Sequence, residues 1–251
     1  VRVRGYPAGV PCWTQLTTPD AAASAVFYAD LLGWKRDDAD VFRHDDRAAA
    51  GLQPVPGGPA AWLSYIAADD IDAAVSAAAA AGGTQLSPIV EDPHGGRAAV
   101  LRDPAGAVFG IWQRTTLAGA QVAGEPGSVC WTDLATGDRA GAEAFYGNVF
   151  EWASRLTDYS PGDNYYEFST HARAVAGMRV LTPEIASRVP THWLITFEVQ
   201  DVPAHAERAV ARGANVLVGP VDAGVGVYSQ IIDPQGAAFG LIELAESFKV
   251  G

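Results

Sequence analysis

Only two cysteines, Cys12 and Cys130, and one methionine occur in 251 residues. With no CxxC pair and no Cys/His cluster, the chain is neither a disulfide-stapled scaffold nor a structural zinc module, and its thiols suit a reducing cytoplasm. No apolar run approaches the roughly 20 residues of a membrane helix. The first nine residues carry Arg2 and Arg4 with no apolar stretch behind them, so no secretory signal is expected. Positive charge is scarce as well: 17 Lys and Arg face 29 Asp and Glu, a net charge of -12. Such a surface repels phosphate backbones, and no basic, aromatic-interleaved patch offsets it, which excludes nucleic acid as a partner. What is plentiful is glycine (27) and proline (16) in a chain that is 49% hydrophobic. That composition predicts short elements joined by many turns around enough core for one large domain or two ordinary ones.

A repeat decides between these. Cys12-Trp13-Thr14-Gln15-Leu16 returns as Cys130-Trp131-Thr132-Asp133-Leu134, Phe27-Tyr28 as Phe145-Tyr146, and Trp34 as Trp152, at a constant spacing of 118. Further on, Trp62-Leu63 matches Trp193-Leu194, and Asp103-Pro104-Ala105-Gly106 matches Asp233-Pro234-Gln235-Gly236, with the spacing grown to about 130. An insertion around 160–164 and 182–191 accounts for the growth. A period this long excludes a solenoid and predicts two copies of one domain, residues 1–117 and 127–251, joined by a Gly/Ala-rich linker at 118–126.

Each copy has the same coarse order. Thr18-Pro19-Asp20 supplies an N-cap, a first-position proline and a first-turn acid for a helix running to Leu32, with Gly33 as its stop. Short strands follow. A strand over 62–68 then leads into a second helix over 70–81, and later strands turn at Asp103-Pro104-Ala105-Gly106. In the second copy the corresponding helix spans Asp201 to Arg212. The order is strand, helix, strands, twice per copy. That gives four βαβββ units, an α+β class with mostly antiparallel sheets.

Four such units with recurrent DPxG turns, a Phe-Tyr pair in the first helix and Leu32-Gly33-Trp34 after it resemble the glyoxalase/bleomycin-resistance/extradiol dioxygenase (vicinal oxygen chelate) superfamily. The resemblance runs from about Val10 to Leu244 and is nearest to the tandem glyoxalase-like proteins of actinobacteria. It implies that each pair of units curls into a cup that holds a small organic molecule, often on a divalent metal. Carried over, the family's ligand positions fall on Trp13, Leu63 and Gly110, and on Trp131, Leu194 and Gly240. None of these side chains ligates a divalent ion, so no metal and no other cofactor is expected. A register slip of two residues would bring His192 or Asp133 into play.

Strand alternation nominates cup-lining residues independently of the family. Trp193, Ile195, Phe197 and Val199 share the face under the helices, leaving His192, Leu194, Thr196 and Glu198 opposite; Trp131 and Asp133 likewise oppose Cys130, Thr132 and Leu134. In the first copy, Trp13, Gln15, Leu63 and Tyr65 face the cup. Trp13 and Trp131 either stack on an aromatic ligand or simply plug the cup. His192, Asp133 and Glu198 are the candidates for proton transfer, set against the ordinary roles of a bonded histidine and of hydrated or Arg-paired carboxylates. Tyr165 and Tyr166 on the insertion, and Tyr228, are candidate rim contacts. Cys12 and Cys130 read as core packing, and the remaining histidines, His94 among them, as surface or loop residues.

Four functions remain open. One is a metal-independent isomerase, cyclase or lyase acting on a partly aromatic small molecule, possibly in specialised metabolism. The second is a binding or sequestration protein, whose acidic surface favours cationic compounds. The third is a metal-dependent dioxygenase or lyase with shifted ligands, and the fourth a scaffold with filled cups. Monomer and homodimer are both compatible with the duplication.

Overall fold

The computed structural model describes residues 2–158 and 164–248. In the first copy the chain runs β1 (Pro11–Thr18), α1 (Ala21–Leu32), β2 (Lys35–Arg36), β3 (Val41–His44), β4 (Arg47–Pro54), β5 (Ala61–Ala67), α2 (Ile71–Ala80), β6 (Thr84–Gln85), β7 (Val90–Asp92), β8 (Gly96–Arg102) and β9 (Val108–Arg114). The second copy runs β10 (Val129–Thr136), α3 (Arg139–Phe150), β11 (Ala153–Leu156), β12 (Tyr165–Thr170) and β13 (Arg173–Val180). A single turn, α4 (Pro183–Ala186), then leads to β14 (His192–Glu198), α5 (Val202–Ala211), β15 (Asn215–Asp222), β16 (Gly226–Ile232) and β17 (Ala238–Leu244). No helix among the described residues is long and apolar enough to cross a membrane.

The four long helices start alike. Asp20, Asp70, Asp138 and Asp201 each accept a hydrogen bond from the backbone N–H three residues on, satisfying one donor that the first turn leaves free. The cap of α1 is therefore Asp20 rather than the expected Thr18. Pro19 separates the two, and the Thr18 hydroxyl meets that of Ser24 at 2.8 Å instead. Gly33 closes α1 in the left-handed conformation, φ +72°, as expected.

Each copy forms one mixed, mostly antiparallel sheet. The orders are β2-β3-β4-β1-β5-β9-β8-β6, with β7 also on β8, and β11-β12-β13-β10-β14-β17-β16-β15. In both, the antiparallel pair of first strands, β1 with β5 and β10 with β14, joins two βαβββ units into one cup.

The two cores lie behind the cups, and each is built from both copies. Phe27, Tyr28, Leu31, Trp34 and Trp62 of the first copy pack with Phe197, Val202 and Phe239 of the second. Ile71 and Phe109 of the first pack with Phe145, Tyr146, Trp152, Phe168 and Trp193 of the second. The repeated motifs are the fasteners. Tyr28 donates to Asp233 at 2.8 Å and accepts from the Trp62 indole at 2.8 Å. Tyr146 donates to Asp103 at 2.9 Å and accepts from the Trp193 indole at 2.8 Å. Trp34 donates to the Gly127 carbonyl and Trp152 to that of Gly9, each at 2.7 Å. The Phe-Tyr pair, the tryptophan after the helix and the DPxG turn thus weld one copy to the other and take no part in lining either cup.

Candidate functional site

Register aligns the two cups row by row. At one level the first cup has Gly51, Gln15 and Leu63 on β4, β1 and β5, and the second has Gly177, Asp133 and Leu194 on β13, β10 and β14. One level deeper the rows are Trp13, Tyr65 and Gly110, and Trp131, Thr196 and Gly240. The cups therefore differ at two lining positions in these rows: Gln15 becomes Asp133 and Tyr65 becomes Thr196.

The first cup is full. Trp13, Gln15, Tyr65 and Trp112 are all at most 3% exposed. The Tyr65 hydroxyl donates to the Gln15 carbonyl oxygen at 2.7 Å, and the Gln15 amide nitrogen contacts His94 Nδ1 at 3.2 Å. His94 Nδ1 also lies 2.7 Å from Asp92 and its Nε2 3.1 Å from the Asp40 carbonyl. The Tyr65 ring fills the space above Gly110, where an added Cβ would lie 2.1 Å from it. Tyr6, Leu117 and Ala120 pack over the same cluster. His94 is thus a buried member of this network rather than a surface residue. Its long-range partners lie 54 and 79 positions away, and no local pattern carries that information. Cys12 also belongs to this cluster and not to the helix-side core, because a bulge between Pro11 and Trp13 breaks the alternation.

The second cup is more open. Trp131, Asp133 and Tyr228 are half-buried, and Thr196 and Tyr165 are buried. A hydrogen-bonded chain crosses it: the Trp131 indole donates to the Tyr165 hydroxyl at 2.8 Å, which donates to Asp133 at 2.6 Å. Tyr165 opens β12 instead of lying on an irregular loop, pairs with Arg179 of β13, and extends its hydroxyl over Gly177, which has no side chain to block it. A Cβ there would lie 2.0 Å from Asp133 and 2.1 Å from the Tyr165 hydroxyl. The neighbouring Tyr166 packs toward the helix-side core under Arg139. Part of the expected insertion, residues 160–163, lies outside the described residues. The Thr196 hydroxyl has no partner among the described residues, and Thr196 and Tyr228 border the space above Gly240.

Burial pushes the Asp133 carboxyl above its ordinary range, opposed by the Tyr165 hydrogen bond, the Arg179 charge and the Trp131 N–H. Burial and the charge of Asp133 push the Tyr228 hydroxyl up, with Arg179 again opposing. Burial likewise raises the Cys130 thiol, followed by the charges of Glu198 and Asp133. Cys130 and Cys12 are therefore poor nucleophiles at neutral pH.

The three nominated proton-transfer residues do not converge. Asp133 sits level with Leu194, His192 one step toward the rim, and Glu198 two steps deeper along the same strand. The His192 Nδ1 is bonded to the Pro190 carbonyl at 2.8 Å. Arg179, absent from the sequence-based candidates, lies over the Tyr165 ring at 5.1 Å. Only the register of β13 on β10 makes it a cup residue. Metal fits poorly in either cup. Each aligned row offers at most one carboxylate, and among the described residues no three His, Cys, Asp or Glu side chains come together.

Paired βαβββ units closing two cups define a small-molecule-binding fold, and the chain belongs to the glyoxalase/bleomycin resistance protein/dioxygenase superfamily. The model of a glyoxalase-like domain matches residues 13–112, and that of the superfamily matches residues 128–241. The anthracycline biosynthesis protein DauV of Streptomyces sp. is 34% identical, over 97% of this chain and 96% of its own. CFP32 of Mycobacterium tuberculosis is 33% identical, over 96% and 97%. Among solved structures, the Mn(II)-bound glyoxalase from Novosphingobium aromaticivorans superposes with a TM-score of 0.66 at 18% identity, covering 94% of this chain and 82% of that one. The 2,3-dioxygenase LapB from Pseudomonas sp. KL28 superposes at 0.63 and 17%, covering 94% and 93%. At these identities the two structures speak for the fold alone.

Proposed function

We propose that the second cup binds a small, partly aromatic organic molecule and transforms it without a metal, by proton transfer centred on Asp133. The observation that carries this reading is the contrast between equivalent positions. Where the first cup has buried Gln15 and Tyr65 bonded to each other, the second has a carboxylate, Asp133, and the smaller Thr196, with half-buried aromatic faces. A carboxyl raised by burial but held by a tyrosine hydroxyl is poised to exchange a proton with a bound carbon or oxygen acid. Trp131, Tyr165 and Tyr228 would grip the ring system, and the Thr196 hydroxyl would bond a polar substituent. His192 at the rim and Glu198 at the base could serve a second proton-transfer step, each on its own end of the ligand. Trp13, Gln15 and Tyr65 are assigned to sealing the first cup. Kinship with proteins named for anthracycline biosynthesis supports an aromatic polycyclic ligand and a place in specialised metabolism.

The rival reading is sequestration without chemistry, favoured by the failure of His192, Asp133 and Glu198 to converge. Incubating the protein with aromatic polyketide intermediates and following product by mass spectrometry separates the two. Turnover that disappears in Asp133→Asn supports the enzyme. Tight binding with no product, unchanged in Asp133→Asn, supports the binder.

A further inference from the structure

The rim of the second cup carries a cation for which acid–base work has no use. Arg179 of β13 and His192 of β14 both pair with Ala135 of β10, so the three form one row across the sheet. They share strand parity with Gly177, Leu194 and Asp133 and therefore face the cup, about 7 Å nearer its mouth. The equivalent row of the first copy is Gln53, Thr17 and Ala61, which carries no charge. The small Ala135 leaves room between its two neighbours.

Arg179 is exposed, and among the described residues it forms no ion pair with a carboxylate. Of the acids one step inward, Asp133 is engaged by the Tyr165 hydroxyl and Glu167 of β12 by Arg155. The guanidinium lies over the Tyr165 ring, 5.1 Å from its centre, which holds it at the cup rim. A planar fork held in this way matches a carboxylate with two parallel hydrogen bonds. His192 in the same row is anchored through Nδ1 to the Pro190 carbonyl, which leaves Nε2 as its second polar atom. The electrostatic reach of Arg179 extends inward to both Asp133 and Tyr228.

On a chain of net charge -12, the expected preference is for cations. The local row argues the opposite. We infer that the second cup selects an aromatic carboxylate, with its rings against Trp131, Tyr165 and Tyr228 and its carboxylate on Arg179, which acts as the specificity-determining residue. This inference rests on the second-cup reading above.

Calorimetric titration of the full chain at low ionic strength with three probes of one shape tests it: 2-naphthoate, neutral 2-naphthamide and cationic 2-naphthylmethylammonium. Naphthoate should bind about tenfold more tightly than the amide, as one exposed charge-assisted pair would give, and the cation most weakly. Arg179→Met should erase the advantage of naphthoate over the amide, while Arg179→Lys should restore only part of it. Equal binding of naphthoate and amide, a preference for the cation, or an anion preference that survives Arg179→Met would overturn the inference and leave the cup reading intact. Failure of all three probes to bind would overturn both.

Discussion

Replacing Tyr146 by Phe removes one oxygen and keeps the ring, so it isolates the bond that ties α3 of the second copy to the DPxG turn of the first. The hydroxyl is fully buried. Without it, the Trp193 indole N–H loses its acceptor at 2.8 Å and Asp103 Oδ2 loses its donor at 2.9 Å, while Oδ1 keeps the Gly106 and Ala107 amides. The ring contacts with Phe109, Trp152 and Trp193 persist. Two lost hydrogen bonds, one of them to a carboxylate, with both partners left buried, should cost about 3 kcal/mol. For a chain of this size that lowers Tm by roughly 6–12 °C. The duplication supplies an internal control: Tyr28→Phe breaks the equivalent bonds to Asp233 and Trp62 and should cost the same. Burial raises the Asp103 carboxyl against the Tyr146 bond, so the variant's carboxyl should rise further. A carboxyl raised in the folded state favours folding at low pH and loses that contribution as pH rises through its folded value. The deficit of Tyr146→Phe should therefore shrink on acidification. Thermal and urea unfolding, followed by circular dichroism, measures all of this. Because each core is shared, both variants should shift one common transition. A cost below about 1 kcal/mol, or separate transitions for the two copies, would refute the welded-core argument.

Other expectations concern the cups and the linker. If Asp133 is the acid–base group, Asp133→Asn abolishes turnover, and Tyr165→Phe, which removes a bond that holds the carboxyl down, moves the acid limb of the rate profile to higher pH; an unmoved limb would assign the proton transfer elsewhere. Gly110→Ala forces a Cβ to within 2.1 Å of the locked Tyr65 ring and should cost about 1–3 kcal/mol by overpacking, measured by urea titration. Gly240→Ala places a Cβ 2.6 Å from the buried Thr196 hydroxyl and 2.8 Å from the half-buried Tyr228 ring, so it should weaken ligand binding as well as stability. Arg47 bonds Glu125 in the linker and, as the leading cause, lowers its carboxyl to about 2. That stabilisation is complete above the unfolded value near 4.5 and is lost as pH falls toward 2. Arg47→Met should flatten this acid limb of the stability curve.

Much of the fold was readable because its signals are periodic or local. Alternation along 193–199 separated the core face of β14 from the cup face, and Thr18-Pro19-Asp20 and Gly33 marked the ends of α1 within two residues. The site was less readable because its members meet through register. Arg179 and His192 are 13 positions apart, and only their shared partner Ala135 sets them in one row. His94 reaches Gln15 across 79 positions. The bulge at Pro11/Trp13 defeated parity for Cys12, since one extra residue reverses every face before it. The repeated motif residues revealed the duplication but not their own role: Tyr28, Trp34, Asp103 and their counterparts serve the joint between copies.

That joint explains how the two cups could diverge so far in content while remaining so alike in backbone. Each core takes helix and strand faces from both copies, so neither copy can lose its back face without unfolding the other. The cup faces carry no such obligation. Filling one with Trp13, Gln15, Tyr65, Trp112 and His94 adds buried apolar area and hydrogen bonds to that half. The other face is then free to hold what packing disfavours: a half-buried carboxylate, a hydroxyl with no partner among the described residues, and an exposed guanidinium at the rim. Polar groups left incompletely satisfied cost stability, and a chain anchored by two shared cores and one solid cup can tolerate them in the second.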